Sequence, residues 1–347
     1  MENKAVVWWL RVVAAFVLAT LLVGGATRLT DSGLSITTWE PILGVIPPLS
    51  AAAWEEALAL YRQIPEYQLI NRGMSMAEFQ FIYWWEWGHR VIARTIGLVF
   101  VLPLIWFWLS GRLPGWFKPW SLLLLGLGGL QGFVGWWMVS SGLTERVDVS
   151  QYRLAVHLTL ACVILALIVW LSERLAGRGG TLSLPPAARY TAFALPAAIL
   201  GQIALGALVA GIDAGLASNT WPLMFGALIP EGLFALTPAW LNAFENPLTV
   251  QFNHRMAGYA VLALALCHLW LAARARAGVV GAAVIGALVL TQAVTGVALV
   301  VMHVPMVLAA THQVMAAILL AVAVAHATYA LPRPAPSGAR AVATQHA

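Results

Sequence analysis

Apolar residues along this chain gather into long uninterrupted runs. Eight runs are long enough, at about 20 residues each, to cross roughly 30 Å of hydrocarbon. They cover residues 8–26, 91–109, 119–140, 154–172, 190–211, 255–272, 278–302 and 306–329. In lipid the backbone must satisfy its own polar groups, which leaves helices or closed barrels, and the two-residue alternation of a barrel strand is missing. The pattern predicts an all-α membrane protein with eight transmembrane helices. Between the first two runs, residues 51–69 carry Trp54, Leu58, Tyr61 and Ile64 at helical spacing among Glu55, Glu56 and Arg62. That stretch reads either as an amphipathic helix on the membrane surface or as a packed loop helix.

Composition agrees with the runs. Of 347 residues, 61% are hydrophobic and 10% charged, against about 25% charged in soluble domains. Basic residues set the orientation: Lys4, Arg112, Lys118, Arg174, Arg178, Arg189, Arg274, Arg276, Arg333 and Arg340 all fall on one side, so both termini are expected to be cytoplasmic. The long loops 28–88 and 213–251 then face outward. The sequence pI of 9.6 reflects this topology, and no nucleic-acid partner is implied. Cys162 and Cys267 lie inside runs and read as packing residues, without a disulfide framework or a zinc site. The first run reads as a retained span, and a bacterial plasma (inner) membrane is the expected location. Residues 333–347, rich in Pro, Ala and Gly, read as a disordered tail.

The runs form a repeat. At an offset of 182, Asp31, Gly33, Leu34, Thr38, Trp39, Gly44 and Pro48 match Asp213, Gly215, Leu216, Thr220, Trp221, Gly226 and Pro230. Most of these residues are not aliphatic, so shared hydrophobicity does not explain the match; internal duplication does. Gln131 and Gly135 match Gln292 and Gly296 at an offset of 161, as expected of helices packed through small residues. Each half therefore reads as a four-helix bundle, residues 1–178 and 179–332, with the tail beyond.

The candidate chemistry follows the repeat. Glu86-Trp87-Gly88-His89-Arg90 recurs as Gln251-Phe252-Asn253-His254-Arg255, each read as the start of a span, and His157 and His312 recur near the outer ends of spans four and eight. With a rise of about 1.5 Å per residue, His89 can face His157, and His254 can face His312, inside their bundles. Two neutral imidazoles on facing helices are what a six-coordinate haem iron requires. Arg90 and Arg255 are placed to bind haem propionates or to anchor the helix ends. Glu86 could act as a general base or charge stabiliser, or pair with a nearby arginine. Arg94, with Tyr259 at the matching position, is a weaker candidate. His268, His303, His326 and His346 have no partner in the other half and read as packing or surface residues.

This combination of eight spans, Glu86-x-x-His89-Arg90, His157, Gln251-x-x-His254-Arg255 and His312 resembles haem A synthase across essentially the whole chain. The loops Gly24-Gly25-Ala-Thr-Arg28-Leu-Thr-Asp31-Ser-Gly33 and Asn219-Thr-Trp221-Pro222 are similar to that family's as well. The resemblance implies oxidation of a ring methyl of haem O to a formyl group through two hydroxylations and loss of water from a gem-diol, giving haem A for terminal oxidases. It further implies a haem b cofactor between His254 and His312, substrate haem between His89 and His157, and Glu86 as the catalytic residue, with both haem sites toward the periplasm. The implied partners are haem O, an electron donor, the lipid bilayer, haem O synthase and oxidase assembly factors, with a homo-oligomer left open. Loop 28–88 lacks the cysteine pair of some bacterial members, which places the chain nearer the alphaproteobacterial and mitochondrial branch. The rival reading is a di-haem b-type electron-transfer cytochrome; a repeat-built transporter fits less well, because mid-membrane charge is scarce.

Overall fold

In the computed structural model, residues 4–40 and 43–331 are described; the expected tail, with Arg333, Arg340 and His346, lies outside them. Eight helices among the described residues are long and apolar enough to cross a membrane. They are α1 (Lys4–Leu29), α4 (Met76–Leu109), α5 (Lys118–Ser140), α6 (Gln151–Leu175), α7 (Pro186–Gly211), α9 (Pro247–Ala275), α10 (Val279–Val301) and α11 (Met306–Tyr329). Three short helices, α2 (Ala51–Tyr61), α3 (Pro65–Leu69) and α8 (Asn242–Glu245), belong to the long loops.

Helices α1, α4, α5 and α6 pack in a ring of neighbours, and α7, α9, α10 and α11 pack in the corresponding ring. The rings meet through α6 against α7 and α1 against α11, with α6 also touching α11. Their shared core runs from Val6, Leu10 and Val13 of α1 through Leu165 and Ile168 of α6 to Leu195 of α7 and Leu320 of α11.

The histidine–arginine pairs do not open their helices as expected. Helix α4 begins at Met76, thirteen residues before His89, and α9 begins at Pro247, seven before His254. Both extensions have local causes. Ser75 and Glu78 form a capping box, which satisfies two orphan N–H donors reciprocally, and Asn246 accepts from Leu248 N ahead of Pro247. Tertiary packing carries the outer part of α4: Phe79, Ile82 and Tyr83 are buried against Leu58, Tyr61 and Ile64. Helices α2 and α3 thus form a packed cap on α4, the second of the two readings of residues 51–69.

Inside α4, Pro103 has no N–H to give the Val99 carbonyl. The indole of Trp9 fills that place, donating to Val99 O at 2.9 Å. Asp31 and Asp213, which follow α1 and α7, both take left-handed backbone (φ 47° and 51°), a conformation Asp tolerates better than most residues. Arg28 donates to both carboxylates, at 2.9 Å to Asp31 and 3.1 Å to Asp213, and so ties the outer ends of the two rings.

Candidate active site and its four histidine seats

Each of the four candidate histidines is half-buried and lies against a glycine of the preceding spanning helix. Cβ atoms built on Gly24, Gly135, Gly206 and Gly296 would stand 2.8, 3.0, 3.0 and 3.1 Å from ring atoms of His89, His157, His254 and His312 respectively. No larger residue would leave the rings where they are. His157 lies in the neighbourhood of His89, and His312 in that of His254.

Three of the seats carry a polar anchor. Gln131 Nε2 donates to His157 O at 3.0 Å and lies 3.1 Å from Nδ1. Gln202 does the same at His254, with distances of 2.9 and 3.1 Å. Gln292 donates to His312 O at 2.8 Å, while Thr295 Oγ1 lies 3.0 Å from His312 Nδ1. Because Thr295 gives its own proton to Gln292 O, its oxygen accepts from Nδ1–H and leaves Nε2 as the free ligand nitrogen. The sequence carries this pattern as Gln-x-x-x-Gly at 131–135, 202–206 and 292–296, with Thr20-x-x-x-Gly24 in the fourth place. Gln202 was missed because its counterpart at an offset of 182 is threonine. Thr20 donates to Phe16 O, and the His89 ring has no hydrogen bond among the described residues.

Glu86 is 2% exposed. Its Oε2 accepts from Ser35 Oγ at 2.7 Å and Ile36 N at 2.8 Å, and its Oε1 from Arg90 Nη2 at 2.6 Å. In the other half the polarity is inverted: Gln251 Nε2 donates to the carbonyls of Gly215 and Ser218, and its Oε1 accepts from Arg255 at 3.3 Å. The two arginines bind equivalent loop carbonyls, Arg90 those of Ile36 and Thr38, Arg255 those of Ser218 and Thr220. Arg94 adds a bond to Glu40 O at 2.7 Å, which gives this cation a place in the loop. Glu86 therefore latches the first outer loop to α4.

The residues present suit haem. Each bundle holds two histidines seated on glycines, and in the C-terminal one Arg255 Nε is buried without a partner among the described residues, a donor free for a carboxylate. A model of the family described as cytochrome oxidase assembly protein matches residues 7–324. The chain belongs to that family. Within this assembly family it is similar to proteins named heme A synthase: 56% identical over 321 residues to that of Chelativorans sp., covering 92% of this chain and 89% of the relative. The corresponding figures are 52% over 342 residues, 96% and 94%, for Allorhizobium ampelinum. For Agrobacterium fabrum they are 54% over 321 residues, 92% and 88%. The alphaproteobacterial likeness expected from the cysteine-free loop is thereby met.

Proposed function

We propose that the chain is a haem A synthase that oxidises one ring methyl of haem O to a formyl group in two successive hydroxylations. The names of its relatives support the overall activity. The division of labour rests on one observation: the two bundles seat their histidines alike but differ around them.

In the C-terminal bundle both histidines are anchored, His254 through its carbonyl by Gln202, and His312 through its ring by Thr295 and its carbonyl by Gln292. Ring anchoring fixes ligand orientation and raises affinity, which suits a resident haem b; bound there, it supplies one-electron transfer. Arg255 Nε is free to meet a propionate. In the N-terminal bundle His157 is anchored and His89 is not, which suits a haem that must enter and leave. Only this bundle carries a carboxylate, Glu86, three residues before its ligand. Released from Ser35 or Arg90, Glu86 can accept a proton or stabilise positive charge developing at the substrate carbon. Arg90, one turn beyond Glu86 on the same face of α4, orients the outer edge of the substrate.

Both termini are assigned to the cytoplasm and both haem sites to the periplasmic side of a bacterial inner membrane, on the distribution of Lys and Arg. An electron donor and contacts with haem O synthase and oxidase assembly factors follow from the reaction proposed.

The test is haem extraction and chromatography from cells that express the chain with a haem O supply, comparing wild type with Glu86→Gln. Haem A or its hydroxymethyl precursor only with wild type supports the proposal. Haems B and O alone in both, from folded haem-loaded protein, would favour a di-haem electron-transfer cytochrome.

A further inference from the structure

His268 and His326, without counterparts in the other half and therefore expected to be packing residues, meet at the inner end of the C-terminal bundle. Their Nε2 atoms are 3.0 Å apart and their rings cross at 77° with centroids 5.1 Å apart. The two residues are 0% and 5% exposed. His268 follows His254 by 14 residues on α9, and His326 follows His312 by 14 on α11. Fourteen residues are close to four turns, so each inner histidine shares a face with an outer one, about 21 Å further along the helix.

The fold does not require polar residues here. At the matching offsets the N-terminal bundle has Trp9, Pro103 and Leu171 in place of Thr191, His268 and His326.

The inner pair also has the supports of a ligand site. Thr191 Oγ1 donates to Ala188 O at 3.0 Å, so its oxygen accepts from His268 Nδ1 at 2.8 Å. That bond puts the proton on Nδ1 and turns the Nε2 lone pair toward His326. It is the device that Thr295 applies to His312. His326 in turn packs directly on Gly281 of α10, as His312 packs on Gly296 of the same helix.

We propose that His268 and His326 form a two-coordinate site for a monovalent soft metal ion, Cu(I), held between their Nε2 atoms. Imidazole suits copper, and a single positive charge is the least costly to bury between two neutral ligands. Zn²⁺ needs four ligands and Ca²⁺ six or more, whereas no group of three His, Cys, Asp or Glu occurs among the described residues. Ala188, Ala265, Ala272, Ala282 and Ala323, each within about a turn of the site, are all buried. Their side chains are single methyl groups, which crowd the rings least if these move apart. Binding moves the rings from 3.0 Å to about 4 Å, for two metal–nitrogen bonds of ~2 Å. The His326 proton shifts from Nε2 to Nδ1, and no electron or net proton is exchanged.

The test uses the purified full chain under anaerobic, ascorbate-reduced conditions with Cu(I), in competition with a chromogenic Cu(I) chelator. Wild type should retain one copper per chain with a two-nitrogen absorption-edge signature, and His268→Gln and His326→Gln should each lose it while remaining monodisperse. Thr191→Val, which keeps both rings, should weaken retention about 10- to 100-fold. No retained copper in wild type, retention equal to wild type in both glutamine variants, or a four-coordinate spectrum would overturn the site. Should the glutamine variants aggregate, the wild-type spectrum and the Thr191→Val titration decide.

Discussion

Gly24 leaves vacant the volume that the His89 ring occupies: a Cβ at position 24 would stand 2.8 Å from His89 Nε2. Gly206 does the same for His254, at 3.0 Å from Cε1. Neither glycine has a left-handed φ, so an alanine there acts through the ring and not through the backbone. Gly24→Ala should lower haem A formation about 100-fold, the effect of an ångström's misplacement, with the resident haem retained. Gly206→Ala should lose the resident haem. Pyridine haemochrome content beside turnover separates the two; equal haem loss in both variants would sink the assignment of halves.

Removing the ligands themselves should show the same asymmetry. His254→Ala is expected to lose the b-type spectrum, while His89→Ala keeps it and loses turnover. A full b-type spectrum in His254→Ala would exchange the roles of the two bundles.

Glu86→Gln changes charge without changing size. Turnover should fall by about 10²–10⁴, the range for a general acid–base group, with the b-type haem unchanged. Because Glu86 also accepts from Ser35, Ile36 and Arg90, protease sensitivity of loop 30–45 should be followed in parallel. Ser35→Ala removes one latch bond and leaves the carboxylate. It should retain most activity if Glu86 works through chemistry, and should match Glu86→Gln if the latch is what matters.

The outer cap should respond to pH. Burial pushes the carboxyl of Glu66 in α3 up to about 8, and the Tyr61 hydroxyl donates to it at 3.1 Å. A carboxyl whose folded-state value lies above its unfolded one contributes stability that is full below the unfolded value and is lost as pH rises through the folded one. Hydrogen exchange in residues 51–70, corrected for intrinsic rate, should therefore show protection falling from about pH 4.5 to about 8 and levelling above that. Glu66→Gln should flatten that dependence, and an unchanged slope in the variant would assign it to another group.

Trp9→Phe tests the proline of α4. With the indole N–H gone, the Val99 carbonyl loses its donor, at a cost of about 1 kcal/mol. A small drop in thermal midpoint is expected, without loss of haem.

Much of this protein was determined by the sequence alone. Eight apolar runs specify eight spanning helices because lipid offers the backbone no other partner, and the duplicated Glu/Gln-x-x-His-Arg segments identified the histidines worth following. Pattern could not place the start of α4, because Phe79, Ile82 and Tyr83 become helical and buried only where α2 and α3 fold back on them. Nor could it show that Arg90, Arg94 and Arg255 bind loop carbonyls, since those acceptors lie 35 to 54 residues away. The pairing of His268 with His326 was written in two 14-residue spacings, yet a spacing marks a face and not what that face meets. Only the packing of α9 and of α11 against α7 and α10 brought the two rings to 3.0 Å, because contact between distant residues is a property of helices in place and not of the chain that forms them.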